Sequence, residues 1–517
     1  VTGLARHLAA SGEFTPAAVL GRDDRAEYPA AACRVLDGWG LPQWYVPQAH
    51  GGRFTSYEEL IRFNTEVSRA DMTVAAAHFI TFGAAAAVWL AGEQQQAARL
   101  ADRILAGTTL AWGISERAHG GDLLSGEATA TLRQGRYRLD GEKWPINNAT
   151  RSDMVIMLAR TSARPGIYAF DLIIVDKHAL DPATYDHLPR TPTHGIRGLD
   201  LSGIVFRGAE VPESARIGPS GSGMPTLLKT LTITRTMCCG FATGTGEQAL
   251  RLAARQRPAA RQILSDAYAD LLGAQALTLA AARMLQTQPD EAALISAIAK
   301  YTVPTWIDDA VSALTAALGA AADPHFRKAA RDSAIVGIFD GNTVTNLQAI
   351  INHFPTLTRP CPDRAPLDLH RPPPAPRLAD LTPLSRNGLS LLARLPETVR
   401  RLPPGPLAQA AQLLHEQASD ELARLPGVRR HPAAAHFHSA ARLAHCALAA
   451  SALEIWQATA AAPTEPLWDG GQWPLAVVRR ALARLGLRPP ADPALDGALL
   501  DDLLSKARAD RPLTVLP

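Results

Sequence analysis

Twice along this chain the spacing of apolar residues changes, and that switch limits the folds open to it more than any other feature. Up to about residue 107, apolar residues recur every three to four positions, as in SYEELIRFNTEVSRA and EQQQAARLADRILAG, which predicts helices with one buried face. One break, LPQWYVPQAHGG between Leu41 and Gly52, carries the Pro and Gly of a loop. From about Thr108 to Gly218 the period falls to two. TATLRQGRYRLDGEKW, MVIMLAR, YAFDLIIV and LSGIVFRGAEV read as strands of an antiparallel domain, parted by turn signals such as Leu139-Asp140-Gly141. From about Met224 to Phe354, long Ala- and Leu-rich helical patterns return. Residues 355–383 are dense in proline, which fixes φ and supplies no N–H, so this stretch reads as a linker. The pattern predicts an α+β chain: a helical domain over 1–107, a β domain over 108–218, a helical bundle over 219–360, a Pro-rich linker over 361–383 and a helical extension over 384–517.

The 517 residues allow two to four domains, and 47 % hydrophobic with 20 % charged residues is enough for a sizeable core. A net charge of +3 argues against a nucleic-acid partner, which needs a concentrated basic surface. Lysine is scarce beside arginine. Five cysteines, odd in number and without C-x-x-C spacing, fit a reducing cytoplasm and no disulfide framework or zinc site. Cys238 and Cys239 read as small apolar packing residues of a helix. The N-terminal VTGLARHLAASGEF lacks the apolar run of a signal peptide, and stretches such as AAAAVWLAG at 84–92 fall short of the ~20 residues that span a bilayer. A soluble, cytoplasmic protein with no transmembrane segment is the expectation.

Two short segments have chemical potential of their own. Ser115 to Asp122 is a polar, glycine-bearing loop after the apolar run LAWGI; its N–H groups could face a phosphate or ring carbonyl, or it is a plain surface turn. Asp340-Gly341, between AIVGIF and NTVTNLQAII, reads as a turn or helix cap, or as a general base if an apolar wall raises the carboxyl above its usual ~3.9. In the extension, His431, His436, His438 and His445 form no H-x-x-x-H pair, so no metal is expected. LAVVRRALARLGL is amphipathic, for packing on the core or a second subunit, or for a membrane-surface or carrier-protein contact.

Taken in order, six fragments resemble the acyl-CoA dehydrogenase/oxidase family. GLPQWYVPQAHGG resembles its V-P-x-x-x-G-G loop. AWGISERAHGGD resembles its flavin loop, T-E-P-x-A-G-S-D. GRYRLDGEKWPINNATRSDMVIMLART is similar to G-x-Y-x-L-N-G-x-K-x-W-I-[TS]-N-x-x-x-A-D followed by A-R-[TS]. HGIRGLDLSGIVFRGAEVPESARIG is similar to the stretch from G-x-R-G-S to V-x-V-P-x-x-x-x-L-G. TRTMCCGFATGTGEQAL resembles the helix that begins with an arginine and carries small residues. FRKAARDSAIVGIFDGNTVTNLQAI resembles the segment bearing the catalytic glutamate, with an ending similar to the E-G-D-N-T-V of acyl-CoA oxidases. The fold implied is an N-terminal helical domain, a middle β-barrel domain and a C-terminal four-helix bundle, with the extra helical domain appended.

The resemblance implies an FAD-dependent dehydrogenation of an acyl thioester, carried by CoA or a carrier protein. Asp340 stands in the place of the carboxylate that removes the α-proton, and Arg235 in that of the arginine beside it; Thr234, where some relatives carry the base, cannot serve. Aspartate is one methylene short, and a misplacement of ~1 Å can cost ~100-fold in rate. Phe339 is implied as a wall residue. Trp112, Ile114, Ser115, Ile146 and Asn147 are implied to line the flavin ring, the Asn147 amide donating near N5; Gly120 and Gly121 would face the pyrophosphate, with Gly341 and Asn342 completing the cofactor set. Pro145 takes the place of the family's tryptophan, with Trp144 adjacent. On the side that receives a partner's flavin, Arg257 and Gly319 match, but Ala260 and Ala316 replace the phenylalanine and glutamine, while Arg331-Asp332 persists. Implied partners are an electron-transfer flavoprotein or O2 as acceptor, and identical subunits in a homodimer or homotetramer. Alternatives are an oxidase that uses O2, and a flavin-poor subunit or binding protein of a heteromeric complex.

Overall fold

The computed structural model describes residues 2–425, 427, 432–459 and 466–515, and the chain divides into two compact units. His431 lies outside the described residues.

The first unit comprises residues 1–56, 71–234 and 376–383. Its N-terminal part holds α1 (Thr2–Ala10), α2 (Pro16–Asp24), α3 (Ala30–Trp39), the later part of α4 (Tyr57–Ala91) and α5 (Gln94–Leu105). Thr15 caps α2 by accepting the Ala18 N–H, and Pro16 occupies its first turn. The break at LPQWYVPQAHGG is two 3₁₀ turns, Leu41–Tyr45 and Gln48–His50, tied by a bridge from Pro47 to Phe54. The run at 84–92 is not the short stretch its sequence suggested. It continues a 35-residue helix, α4, long and apolar enough to cross a membrane, but 78 % of its most apolar window is buried inside the protein.

Eight strands follow: β1 (Leu110–Gly113), β2 (Thr129–Arg133), β3 (Arg136–Asn147), β4 (Met154–Arg160), β5 (Phe170–Asp176), β6 (Tyr185–Leu188), β7 (Leu201–Pro212) and β8 (Arg216–Ile217). They form one sheet in the order β6-β7-β3-β2-β4-β5-β8, with β1 parallel to β4. Alternate residues, among them Tyr137, Leu139, Val155, Met157, Ile173, Val175, Ile204 and Phe206, meet in its core. Leu139-Asp140-Gly141 is not a turn. It lies within β3, where the register against β7 shifts by a bulge. Gly141 is there because φ is +119° and a Cβ would stand 2.7 Å from the Ala128 Cα. The turn between β2 and β3 falls at Gln134-Gly135, both at positive φ, the geometry a two-residue hairpin loop requires.

The second unit comprises residues 57–70, 235–375 and 384–517. It contains the start of α4, most of α6 (Gly223–Gln256), α7 (Arg261–Thr287), α8 (Ala292–Leu318), α9 (Pro324–Val336), α10 (Thr343–Ile351) and the short α11 (Phe354–Leu357). Small residues set the crossing of α4 and α6: a Cβ on Gly244 would meet the Thr65 carbonyl oxygen at 2.3 Å, and Asn64 Nδ2 donates to the Met237 carbonyl at 2.8 Å. The proline-rich stretch carries no helix or strand from Thr358 to Arg377, yet up to Ala375 it is no free spacer. Arg283 donates to the Asp368 and Arg371 carbonyls, Gln286 to that of Pro374, and Leu367 is buried. The strap is held through its carbonyls by side chains of α7 and through the Leu367 N–H by Glu454 of the extension.

The extension forms α12 (Ser390–Ala393), α13 (Leu395–Arg400), α14 (Pro406–Ala423), α15 (Ala434–Thr459), α16 (Gln472–Arg484) and α17 (Pro493–Arg508). α15, α16 and α17 pack on α7, and α15 also on α8. Gly273 of α7 admits them: a Cβ there would lie 2.9 Å from both Leu448 and Val477. Trp306 of α8, fully buried, donates from Nε1 to Nδ1 of His445 at 3.1 Å, and burial pushes His445 down to about 3, so the ring stays neutral. His436 is also engaged locally, accepting the Ala433 N–H and contacting the Gly427 carbonyl. Arg480 and Arg484 both fork onto Asp270, which is almost wholly buried on α7. Asp270→Ala removes the buried carboxylate that both arginines share and leaves each with one more exposed partner, Arg480 with Asp266 and Arg484 with Asp309, so it should lower unfolding stability by ~3 kcal/mol in urea denaturation of the full chain.

Candidate active site

In the first unit, the loop after β1 is fixed by one buried ion pair. Lys143 of β3 donates from Nζ to Glu116 Oε1 at 2.7 Å and to the Ile114 carbonyl at 3.2 Å. The Glu116 carboxylate also accepts the N–H groups of Glu127 at 2.7 Å and Ala128 at 3.1 Å. Both ends of the loop are thereby stitched to β3 and the start of β2. Burial alone would raise the Glu116 carboxyl, but the Lys143 hydrogen bond and charge and the two backbone N–H groups outweigh it and hold it below the usual glutamate range. Gly113, at the end of β1, allows the close approach, since a Cβ would stand 2.9 Å from Val155. The Trp144 N–H donates to the Ser115 carbonyl at 2.9 Å, and the Arg117 guanidinium lies 4.3 Å over the Trp144 ring while bonding Glu142 at 3.0 Å. Two departures from the family pattern, Arg117 for proline and Trp144 beside Pro145, thus meet each other in space.

On this scaffold Trp112 and Ile114 are buried and Ser115 is half-buried. Three sequence expectations change. Ile146 is part of the hydrophobic core of the sheet, because the shift in register after Lys143 turns its side chain inward. Asn147 Nδ2 already donates to the Ala76 carbonyl at 2.8 Å, so the atom left over is its Oδ1, buried and without a hydrogen bond, and that atom accepts and does not donate. The Gly120 N–H is committed to the Glu116 carbonyl at 2.9 Å, whereas the Gly121 N–H meets no acceptor among the described residues.

In the second unit, Asp340 and Gly341 both sit in the left-handed region, at φ +52° and +86°. For a non-glycine residue that conformation costs roughly 1–2 kcal/mol, so the turn must be held. Asn346 Nδ2 donates to the carbonyls of Gly341 at 2.8 Å and Asn342 at 3.0 Å, and Asn342 Oδ1 caps α10 by accepting the Thr345 N–H at 2.9 Å. Gly341 and Asn342 therefore shape the turn, and the Asp-Gly signal is both a turn and the approach to a cap. Below it, Lys300 of α8 donates to the Val336 carbonyl, the end of α9, at 2.7 Å, with its ammonium 5.5 Å from the Phe339 ring. Phe339 packs edge-on to Phe241 at 5.7 Å. Asp340 is half-buried, and its Oδ2 accepts the Cys238 thiol at 3.4 Å. Arg235 is buried, its Nε without a hydrogen bond; burial pulls the guanidinium down and the Asp340 charge opposes that, and an arginine remains charged throughout.

Asp340, Arg235 and Phe339 are thus brought together, joined by Phe241 and Lys300, which carry no sequence signal of a role, and by Cys238, which reads in sequence as a packing residue. Arg257 and Gly319 do other work: exposed Arg257 donates to the Ala317 carbonyl and Gly319, at φ +58°, ends α8, so the pair closes a helix C-terminus. Asp332 of the Arg331-Asp332 pair is buried and bonded to Lys328 at 2.6 Å.

Three family descriptions match in succession: acyl-CoA dehydrogenase N-terminal domain over residues 9–108, middle domain over 111–209 and C-terminal domain over 221–353. The chain is 25 % identical over 358 residues to cyclohex-1-ene-1-carbonyl-CoA dehydrogenase of Geobacter metallireducens, covering 65 % of this chain and 93 % of that protein. Its fold is similar to that of the acyl-CoA dehydrogenase complexed with FAD from Bacillus anthracis, with TM-score 0.72 and 17 % identity over 99 % of this chain and 96 % of that one. Butyryl-CoA dehydrogenase from Megasphaera elsdenii matches with TM-score 0.62 and 22 % identity, over 67 % and 95 %. The Bacillus anthracis match runs through the C-terminal helices as well.

Lys143→Met strands Glu116 in the interior and should cost ~3–5 kcal/mol at neutral pH in denaturant unfolding. Because the folded carboxyl is held below its ordinary value, its contribution is complete above about pH 4.5 and is lost as pH falls through the lower folded value. Glu116→Gln, which cannot titrate, should accordingly show a flatter stability profile than the parent below about pH 4.5.

Proposed function

The chain belongs to the acyl-CoA dehydrogenase family, and we propose that it carries out FAD-dependent α,β-dehydrogenation of an acyl thioester with Asp340 as the base. As a family member it is an oxidoreductase acting on CH–CH groups, and FAD is the cofactor. One unsatisfied polar group of the first unit fits such a group, the buried Asn147 Oδ1, and the exposed Gly121 N–H meets no acceptor among the described residues. An orphaned buried acceptor is expensive unless something supplies its donor. When bound, FAD supplies the acceptor for the β-hydride.

The chain's own part is the proton. Asp340 takes the hydrogen from the carbon next to the thioester carbonyl, and that proton ends on its carboxylate. The observation that carries this reading is a half-buried carboxylate on a left-handed turn, fixed by Asn346 and set beside Arg235 and the Cys238 thiol. Arg235 holds a positive charge against the carboxylate. Phe339 and Phe241 supply the apolar wall.

The purified protein should be yellow and should bleach anaerobically with at least one of butanoyl-CoA, octanoyl-CoA and cyclohexanecarbonyl-CoA, each of which carries an α-hydrogen and a β-hydrogen. Asp340→Ala should keep the oxidised spectrum and lose reduction rate by ~100- to 10,000-fold, the range for removing a general base. A colourless protein that stays colourless with added FAD defeats the reading, as does undiminished bleaching in Asp340→Ala. Peroxide formed in air without another acceptor assigns O2 as the electron sink.

A further inference from the structure

Cys238 is one of two adjacent buried cysteines on α6, and nothing in the packing of that helix demands sulfur at both positions. Their surroundings differ. Cys239 turns its Sγ back to the Arg235 carbonyl of its own helix at 3.7 Å, the ordinary resting place of a helical thiol. Cys238 instead reaches across to Asp340 Oδ2 at 3.4 Å, over 102 positions of sequence. It is fully buried, and burial first, then the Asp340 charge, push its thiol well above the usual range. It therefore stays an S–H donor and is neither a nucleophile nor a redox centre.

Asp340 has an unusual need for such a donor. Its backbone is left-handed, its side chain is short, and no backbone N–H or hydroxyl is bonded to its carboxylate among the described residues. The turn is fixed on one side by Asn346 and on the other by Lys300, which locks the carbonyl of Val336 four residues before the aspartate. Those contacts fix the backbone and leave the carboxylate free to rotate about χ1 and χ2. Arg235 acts on it by charge, which has little directionality. The thiol is the directional contact.

Resting on the reading of Asp340 as the base, we propose that Cys238 is a positioning residue: its S–H holds Asp340 Oδ2 so that the other carboxylate oxygen is the one presented for the proton. The remaining charged groups around the turn are the same in any Cys238 variant: Arg235 on α6, Lys300 on α8, the Lys328–Asp332 pair on α9, and His353 after α10, whose ring is bonded to the Ala349 carbonyl and the Ser385 N–H.

Two measurements test this on the full-length protein. The first needs no substrate. Infrared difference spectra between the parent and Cys238→Ala isolate the Cys238 S–H stretch, which should lie below that of an unbonded thiol and should move up in Asp340→Ala. A band that is unshifted, or that Asp340→Ala leaves in place, overturns the proposal. The second compares the rate and KM of anaerobic flavin reduction by the most active of the three CoA thioesters. Cys238→Ala should lower the rate about 5- to 10-fold with KM little changed, because it removes the one hydrogen bond that orients the carboxylate. Cys238→Ser, which keeps a donor, should restore the parent rate. Equal rates for Ala, Ser and parent refute a positioning role and leave the base assignment standing. Reduction that survives Asp340→Ala instead removes the base, and with it the purpose of the thiol.

Discussion

The order of the first unit turns on a lysine and a glutamate that have left water together. Lys143 and Glu116 are both buried, 2.7 Å apart, with the remaining acceptor capacity of the carboxylate taken by two backbone N–H groups and a second donor bond of the ammonium taken by the Ile114 carbonyl. Such a pair pays for its desolvation only when nearly every donor and acceptor is matched, and here they are. What it gives in return is register. Ser115, Trp144 and the glycines at 120 and 121 have places because the loop is clamped where β1 ends and β3 passes beneath it. A loop with four glycines or turn residues and no such clamp would sample many shapes, and a free Gly121 N–H or an orphaned Asn147 oxygen would then have no fixed address.

The same economy recurs through the chain. Of its six lysines, Lys143, Lys177, Lys300, Lys328 and Lys506 are all buried, while arginine supplies most surface cations. An ammonium is compact and carries three donors on a flexible stem, so it can fill a gap between carbonyls that a planar guanidinium cannot enter. Lys300 uses this to hold the end of α9, and the end of α9 is where the turn bearing Asp340 begins. Lys177 does the equivalent beneath the Ala149 and Thr150 carbonyls. The scarcity of lysine beside arginine is thus also a pattern of placement.

The C-terminal extension belongs to the same unit as α7 and α8 in the physical sense that those helices are buried around nearly their whole circumference. A helix apolar on all sides must be covered on all sides. α15, α16 and α17 supply that cover, and the C-terminal tail extends it: Leu513 donates its N–H to Glu247, and Gln275 binds the backbone of both Leu513 and Val515.

The amino-acid pattern alone determined the succession of helices, strands and helices, the extension, and the candidate base with its arginine, because periodicity and short motifs are local properties and survive without coordinates. It misjudged features whose meaning depends on a distant partner. Leu139-Asp140-Gly141 reads as a turn until β7 lies beside it and makes it a bulge. Ile146 and Asn147 look alike as ring neighbours until a one-residue shift in pairing sends one into the core and ties the other's amide to Ala76. Cys238 and Cys239 are indistinguishable as letters; only the fold sends one thiol to its own helix and the other to Asp340. Tertiary structure decided these because hydrogen-bond partners, burial and register are set by chain segments tens to hundreds of residues away, which no local spacing encodes.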